Sequence, residues 1–303
     1  MKSSELALVK KDTVDIVANK IKQFQESGEL KMPKNYSPDN AMKSAWLKLQ
    51  TVTAKKGKEY FPALEVCSKN SIANTLLDMV VQGLSPAKNQ CYFIAYGGEL
   101  QLQRSYFGTM AVTKRLNDVK DIKSQVIYEN DEFEMLIDFG TKKITKHIQK
   151  LENIDTSKII GAYTIIEKTD GTFFTEIMNI NQIKQSWKQS KQSYNIFENG
   201  SDKLKSDSVH GKFTDQMVLK TVINRACKIF ANTSDDSDLL IDSFNRSTEN
   251  EYEPDSKDTP PKSATKEIEA NAEVIDFEDD EVIDVNLQEE QQKQDAAEEG
   301  PDF

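Results

Sequence analysis

Apolar residues recur at Leu6, Val9, Ile16, Val17, Ile21 and Phe24, close to the helical period, which predicts a first helix over about 5–27 ending near Gly28. Ser37-Pro38-Asp39 then reads as an N-cap, a proline preset for the first turn and an early acid. A second helix is expected from there to about Lys56, burying Trp46, Leu49 and Val52. A third is expected over 71–83, with Ile72, Leu76, Met79 and Val80 on one side. Gly83 offers it a left-handed stop, and Pro86 blocks continuation.

After Pro86 the period changes from helical to alternating. Cys91–Tyr96 is a short apolar run and Gly97-Gly98 a tight-turn pair; beyond it Leu100 and Leu102 alternate with Glu99, Gln101 and Gln103. That pattern predicts a β-hairpin. A helix is expected over 106–116, strands at about 121–128, 132–138 and 143–148, and a second hairpin over 160–167 and 172–178 around Asp170-Gly171. Helices follow over 180–191 and 213–231, the latter about 28 Å long. No internal repeat is evident.

The chain has 303 residues, of which 37% are hydrophobic, low for a fully packed chain of this length, so part of it is expected to lie outside any core. A net charge of −11 argues against a nucleic-acid partner only until the charge is divided along the chain. Residues 234–303 hold 24 Asp and Glu against 5 Lys and Arg, a net of −19. Residues 1–233 keep 26 acids and 34 bases, a net of +8. From Ser234 onward the composition is too polar to offset its own ordering entropy, which predicts a disordered acidic tail. The expected fold class is α+β: an N-terminal helical lobe over 1–65, an antiparallel β-sheet core crossed by long helices over 66–233, and the tail over 234–303.

Cys67, Cys91 and Cys227 are odd in number and far apart, with no CxxC and only His147 and His210 to assist. A zinc site or disulfide framework is therefore not expected, and a reducing compartment fits. No signal-type apolar stretch opens the chain, and no run reaches the roughly 18 apolar residues that span a membrane. The expectation is a soluble intracellular protein.

Three constellations can carry binding chemistry. Within 213–231, Leu219, Val222, Ile223, Ala226, Ile229 and Phe230 share one face, while Lys220, Asn224 and Lys228 recur one turn apart on another, with Thr221 and Arg225 beside them. No acid interrupts that stripe, and cations so spaced can track phosphates by releasing counterions. An ordinary solvated helix face would look the same. The second constellation is Gln103-Arg104-Ser105-Tyr106-Phe107-Gly108, followed by Lys114 and Arg115. Its cations can neutralise phosphates, and a ring of Tyr106 or Phe107 facing outward would stack on unpaired bases, worth about 1–3 kcal/mol per base; core burial is the competing role. Gly108 lets a backbone come close. The third interleaves Lys184, Lys188 and Lys191 with Trp187, whose burial is an equal alternative. It precedes a polar loop over 193–212, ending at Lys212, that is expected to order on DNA. The scheme requires Lys220, Arg225 and Arg104 to share one exposed ridge; carboxylate pairing or dispersal over unrelated surfaces would sink it.

Catalysis has little support. No G-x4-G-K-[S/T] loop exists, and Gly211-Lys212 lacks the upstream glycine and the hydroxyl. Glu29-Leu30-Lys31 has the letters of a nuclease E-x-K but no strand to present them. Neither histidine has a partner that makes a triad.

Read together, Gln82-Gly83-Leu84-Ser85-Pro86, Cys91-Tyr92-Phe93-Ile94, Tyr96-Gly97, Leu100-Gln101-Leu102-Gln103 and Ser105-Tyr106-Phe107-Gly108 resemble the signature block of RecT-type phage recombinases. Val126-Ile127-Tyr128-Glu129-Asn130-Asp131-Glu132-Phe133 is similar to the next block. Met217 through Lys228, with Lys220-Thr221, Ile223 and Arg225, is similar to the late helix. The resemblance covers about 40–232, and the lysine- and asparagine-rich body resembles prophage proteins of Gram-positive hosts.

What the resemblance implies is ATP-independent binding of single-stranded DNA and annealing of complementary strands in phage homologous recombination. The fold implied is of the single-strand-annealing type, assembled as rings or filaments. The DNA-binding role carries over to Lys220, Arg225, Lys228, Arg104 and Tyr106. Phe107 stands where the family often has a cation, and Asn224 where an arginine is usual. The implied partners are a phage exonuclease and the host single-strand-binding protein, in the cytoplasm of a bacterial host. No cofactor is expected, and magnesium would only modulate DNA binding. A passive strand-coating protein and a metal-dependent nuclease are the rivals. Deleting 234–303 is expected to spare annealing of naked strands.

Overall fold

The elements begin and end where local chemistry can satisfy their backbones. The computed structural model describes residues 3–27, 33, 35–56, 58–116, 118–190, 193–199, 201–234 and 238–247. Helix α1 spans Ser3–Glu26 and α2 Pro38–Leu49. Ser37 caps α2 by accepting from the Asn40 N–H, with Pro38 in the first turn. α2 stops short of Lys56. Thr51, Val52 and Thr53 are three β-branched residues in a row and favour extended backbone, and Thr53–Lys56 forms β1, paired antiparallel with β2 (Glu59–Pro62). Leu49 is buried as expected, while Trp46 and Val52 are only half-buried.

A single turn, α3 (Ala63–Val66), leads to α4 (Lys69–Val81), which buries Ile72, Leu76, Met79 and Val80 and ends where Gly83 adopts φ +62°. The alternating stretch forms the expected hairpin of β3 (Cys91–Tyr96) and β4 (Glu99–Arg104). α4 is pinned across it by two bonds to one residue's backbone. The Leu100 N–H donates to Ser71 Oγ at 3.0 Å, and Thr75 Oγ1 donates to the Leu100 carbonyl at 2.8 Å.

Helix α5 (Tyr106–Thr113) is followed by β5 (Val119–Tyr128), then by β6 (Glu132–Asp138) and β7 (Thr141–Ile148), which pair only with each other. β8 (Ile159–Lys168) and β9 (Phe173–Asn179) join β5 in a sheet ordered β5-β8-β9, turning at Gly171. The fold is α+β as expected, but among the described residues the antiparallel strands make four small sheets rather than one. Helices α6 (Ile180–Lys188), α7 (Ser193–Ile196), α8 (Val209–Lys212) and α9 (Thr214–Asn232) follow. α9 packs on all three strands of the β5-β8-β9 sheet. Val126, Ala162 and Met178 meet Ile183, Val218 and Val222 in the core beneath it.

His147 seats the β6–β7 hairpin. Its ring nitrogens lie 3.0 Å from Tyr163 Oη and 3.2 Å from Asp131 Oδ2. Burial opposes ionisation of Asp131, yet hydrogen bonds from Gln149, the Tyr128 N–H, His147 and Asn153 outweigh it and hold the carboxyl below its ordinary value.

The largest departure from expectation lies past residue 233. Asp238–Arg246 forms α10, which returns to the body, so the polar tail does not begin at Ser234. Phe244 is 1% exposed, and Ser243 and Ser247 are buried with it. Asp78 of α4 accepts from Ser243 Oγ at 3.0 Å and from Arg246 at 2.7 Å. The remaining acidic residues, 248–303, lie outside the described residues.

The anchor of α10 is Arg104, expected on a DNA-contacting ridge but only 2% exposed. It ends β4 on the same face as Leu100 and Leu102, so strand parity carries it inward. Its guanidinium donates to Gln82 Oε1 at 2.7 Å, to the Phe244 carbonyl at 3.0 Å, to Ser247 Oγ at 2.8 Å and to Thr109 Oγ1 at 3.1 Å. It also stacks 3.6 Å over the Phe244 ring.

Deleting 234–303 therefore removes part of the core, and the expected sparing of function does not follow from this fold. Phe244→Ala is expected to lower stability by about 3–5 kcal/mol in urea denaturation. A chain ended after Ser247 should melt close to the full chain, and one ended after Ser234 well below it. Equal melting of the two truncations would show that α10 contributes nothing.

Candidate nucleic-acid interface

Strand parity sorts the first hairpin into two chemical faces. Cys91, Phe93, Leu100, Leu102 and Arg104 point into the protein. The other face pairs Tyr92 with Gln103, Ile94 with Gln101 and Tyr96 with Glu99 across the strands. Tyr92 is 50% exposed and Tyr96 is similar. Rings and amides thus alternate on an open surface. The chain leaves β4 through Ser105, whose Oγ caps α5 by accepting from the Gly108 N–H at 3.1 Å. Gly108 does permit a close approach, but to the carbonyl of Gln90, where any side chain would collide.

That cap aims the first turn of α5 at the same face. Phe107 is 50% exposed, and its ring lies 4.1 Å from that of Tyr106, tilted by 32°. Tyr106 is half-buried, and burial, then the neighbouring Tyr92, pushes its hydroxyl pKa up. Of the adjacent pair, Phe107 is the ring presented to solvent. Tyr92 and Tyr96 complete the set, although Cys91–Tyr96 reads as an apolar run. The signal that finds them is alternation, because Tyr92, Ile94 and Tyr96 occupy every second position.

A cleft of about 900 Å3 opens beside this face. Its lining includes Tyr96, Gln101 and Gln103 of the hairpin together with Lys205, Asp207, His210 and Lys220. His210 packs edge-on against Trp187, with ring centroids 4.7 Å apart. Burial first, and the charge of Lys220 second, depress its pKa to about 4, so at neutral pH the ring is uncharged.

The other sequence-derived candidates divide. Lys220 and Thr221 border the cleft, but Thr221 is buried and receives the Trp187 Nε1–H at 2.7 Å. Trp187 is consequently a core residue, not a stacking platform. Asn224 is buried within α9, which packs against α5 as well as on the sheet. Arg225 is half-exposed and donates to Glu176 Oε1 at 2.9 Å; Lys142 reaches Glu176 Oε2 at the same distance. Lys228 is half-buried further along α9. Lys114 is exposed and bonds Asp121 at 2.6 Å. Arg115 is held under the α4 terminus, donating to the Gln82 carbonyl, and burial lowers its pKa. Lys188 is exposed and pairs with Asp202, Lys184 is half-buried, and Lys212 is exposed at the end of α8. Lys191 and Glu29-Leu30-Lys31 lie outside the described residues.

The single ridge of Arg104, Lys220 and Arg225 is therefore not formed. One is buried, one bonds a carboxylate on β9, and one borders the cleft. The residues that do share the open side of β3–β4 are Gln101 and Gln103 with the unforeseen Tyr92 and Tyr96, Lys220 lines the adjoining cleft, and Phe107 is exposed at the start of α5. Among the described residues, no group of three or more His, Cys, Asp or Glu is placed to hold a metal ion, and no helix is long and apolar enough to cross a membrane. The three cysteines are free and buried, and burial raises Cys91 to about 12.

Exposed rings and nearby cations are groups that can stack on unpaired bases and meet phosphates. A model of the RecT family matches residues 39–265, most of the chain, and the chain belongs to that family of single-strand annealing proteins of DNA recombination. The match extends past α10. No curated protein matches the chain at a significant level.

His210 provides a pH test of the cleft. Its folded pKa lies below the unfolded value near 6.5, so its contribution to stability is full above pH 6.5 and is lost as pH falls towards 4. Thermal melts across that window should fall for the wild type and fall less for His210→Gln. Identical profiles would place the ring in contact with solvent instead.

Proposed function

We propose that the chain binds single-stranded DNA along the β3–β4 face and its cleft and anneals it to complementary strands without nucleotide hydrolysis. The observation that carries this reading is the alternation of Tyr92 and Tyr96 with Gln101 and Gln103 across β3–β4, beside a cleft that Lys205 and Lys220 also line. Rings stack on any base and cations meet any phosphate, so such a surface reads chain form, not sequence. Specificity and driving force then come from pairing, since duplex stacking supplies about 1.4 kcal/mol per step. The protein's part is to hold bases unstacked from competing structure, which is binding chemistry rather than catalysis. Magnesium would tune the phosphate contacts without being a cofactor.

Annealing over long tracts calls for adjacent copies, and the β6–β7 hairpin supplies a surface for them. Met135, Leu136, Ile137 and Phe139 are exposed at its end, with Phe139 fully exposed in the turn at φ +47°. A two-stranded hairpin has no core of its own to account for them. Beside the turn lies a groove of about 800 Å3 lined by Phe173, Phe174, Ile229 and Phe230, with Asp118 and Lys168 on its rim. Asp138 and Lys143 pair with each other at the hairpin's end, so the match when a second copy's hairpin enters the groove is one of apolar surface. Repeated head to tail, that contact builds a ring or a filament. Residues 248–303, with 20 acids and 4 bases, are repelled by DNA and suit a docking arm for the host single-strand-binding protein, while a phage exonuclease would supply the strands, all in the bacterial cytoplasm.

Complementary oligonucleotides followed by fluorescence, without nucleotide and with or without magnesium, should pair faster in its presence. Binding without acceleration identifies a passive coat, and metal-dependent strand loss a nuclease. Lys220→Ala should weaken binding to all sequences and reduce the salt slope by about 0.7. Tyr92→Ala and Phe107→Ala should each cost about 1–3 kcal/mol of affinity, whereas Arg225→Ala should act mainly on stability. Sedimentation of Phe139→Ser is expected to show smaller species than the wild type at equal concentration; an unchanged distribution would free the hairpin from assembly.

A further inference from the structure

The small β1–β2 hairpin carries chemistry that the interface above does not use. Lys55-Lys56-Gly57-Lys58 places three lysines among four residues, and Tyr60 follows. The cross-strand register pairs Ala54 with Phe61 and Lys55 with Tyr60. Ala54 is buried and Phe61 half-buried, so these two seat the hairpin on the protein. Parity then turns Lys55 and Tyr60 outward together as direct cross-strand neighbours. Tyr60 is 69% exposed, and Lys55 and Lys58 are both exposed. The hairpin is closed at its base by the Ala63 N–H donating to the Val52 carbonyl at 2.8 Å, which fixes where the ring and cations stand.

Its position gives those residues a purpose. Among the described strands, β3 pairs only with β4, leaving its other edge without a strand partner, and β1 packs against β3 on that flank. The ring-and-amide face of β3–β4 thus has two borders of like chemistry. One is the cleft wall with Lys205 and Lys220; the other is the hairpin with Lys55, Lys58 and Tyr60. A strand whose phosphates follow one border and whose bases lie over the floor presents its pairing edges away from that border. The phosphates of its complement must fall a base pair's width away, on the other side of the bases. A single strand needs only one cationic border, and a nascent duplex needs two.

We propose that the β1–β2 hairpin is the contact for the incoming complementary strand, with Lys55 and Lys58 meeting its phosphates and Tyr60 stacking on a base not yet paired. The assignment rests on the annealing function proposed above and adds a division of labour to it. The cleft border grips the first strand, and the hairpin receives the second.

The test uses the full chain carrying Lys55→Ser with Lys58→Ser, and separately Tyr60→Ala, alongside the wild type. Thermal melting checks that each variant is folded; none of the three side chains is buried. Anisotropy with one labelled oligonucleotide reads first-strand affinity, and stopped-flow energy transfer on adding the labelled complement reads pairing. The variants are expected to bind the first strand within about twofold of wild type and to anneal about tenfold more slowly. In the lysine pair the salt dependence of the annealing rate should fall by roughly 1.4 in log–log slope. Annealing at the wild-type rate overturns the proposal. So does a loss of first-strand affinity that accounts for the slower annealing, since it would put the hairpin in the first strand's track. A wild-type chain that binds strands without hastening their pairing sinks the annealing function itself, and this assignment with it.

Discussion

One buried guanidinium holds together the parts on which the rest of the molecule depends. Arg104 ends the strand that carries Gln101 and Gln103 and immediately precedes the cap that aims Phe107 outward. Its side chain reaches the other way, to Gln82 after α4, Thr109 in α5, and Phe244 and Ser247 of α10. A charge taken out of water is stable only where its hydrogen-bonding groups are met. The four elements are therefore fixed relative to one another by what one side chain requires. The outer face can offer rings and amides to a ligand because its inner face is so constrained.

Much of this architecture was legible in residue pattern alone. The β3–β4 hairpin follows from alternation around Gly97-Gly98, the β8–β9 hairpin from Asp170-Gly171, and α9 from the spacing of Leu219, Val222, Ile223 and Ala226. The misses have physical causes. α2 ends early because the β-branched run Thr51-Val52-Thr53 outweighs the cap upstream. α10 is obscured because its few apolar residues are averaged with a strongly acidic stretch, although Leu239, Leu240, Ile241 and Phe244 stand close together in the sequence.

The interface was legible in kind but not residue by residue. Charge alone does not place a cation; strand parity and helical phase do. Arg104 follows Leu100 and Leu102 inward, Thr221 and Asn224 are buried on α9, and Arg225 meets a carboxylate on β9. Tyr92 and Tyr96 went the other way: aromatic rings in an apolar run suggest a core, and only alternation turns them outward. A basic stripe on one helix therefore locates a surface less well than the register of two paired strands does.

The route of the chain after α10 has a consequence for anything the acidic remainder captures. Ser247 is buried beside Gln82 and Ser243, so residue 248 starts from a fixed point on the α4 flank. The chain beyond 247 is therefore joined to the body beside the buried guanidinium, and a pull on it is felt first by the contacts of Phe244 and Ser247 with Arg104, which also fix the hairpin face.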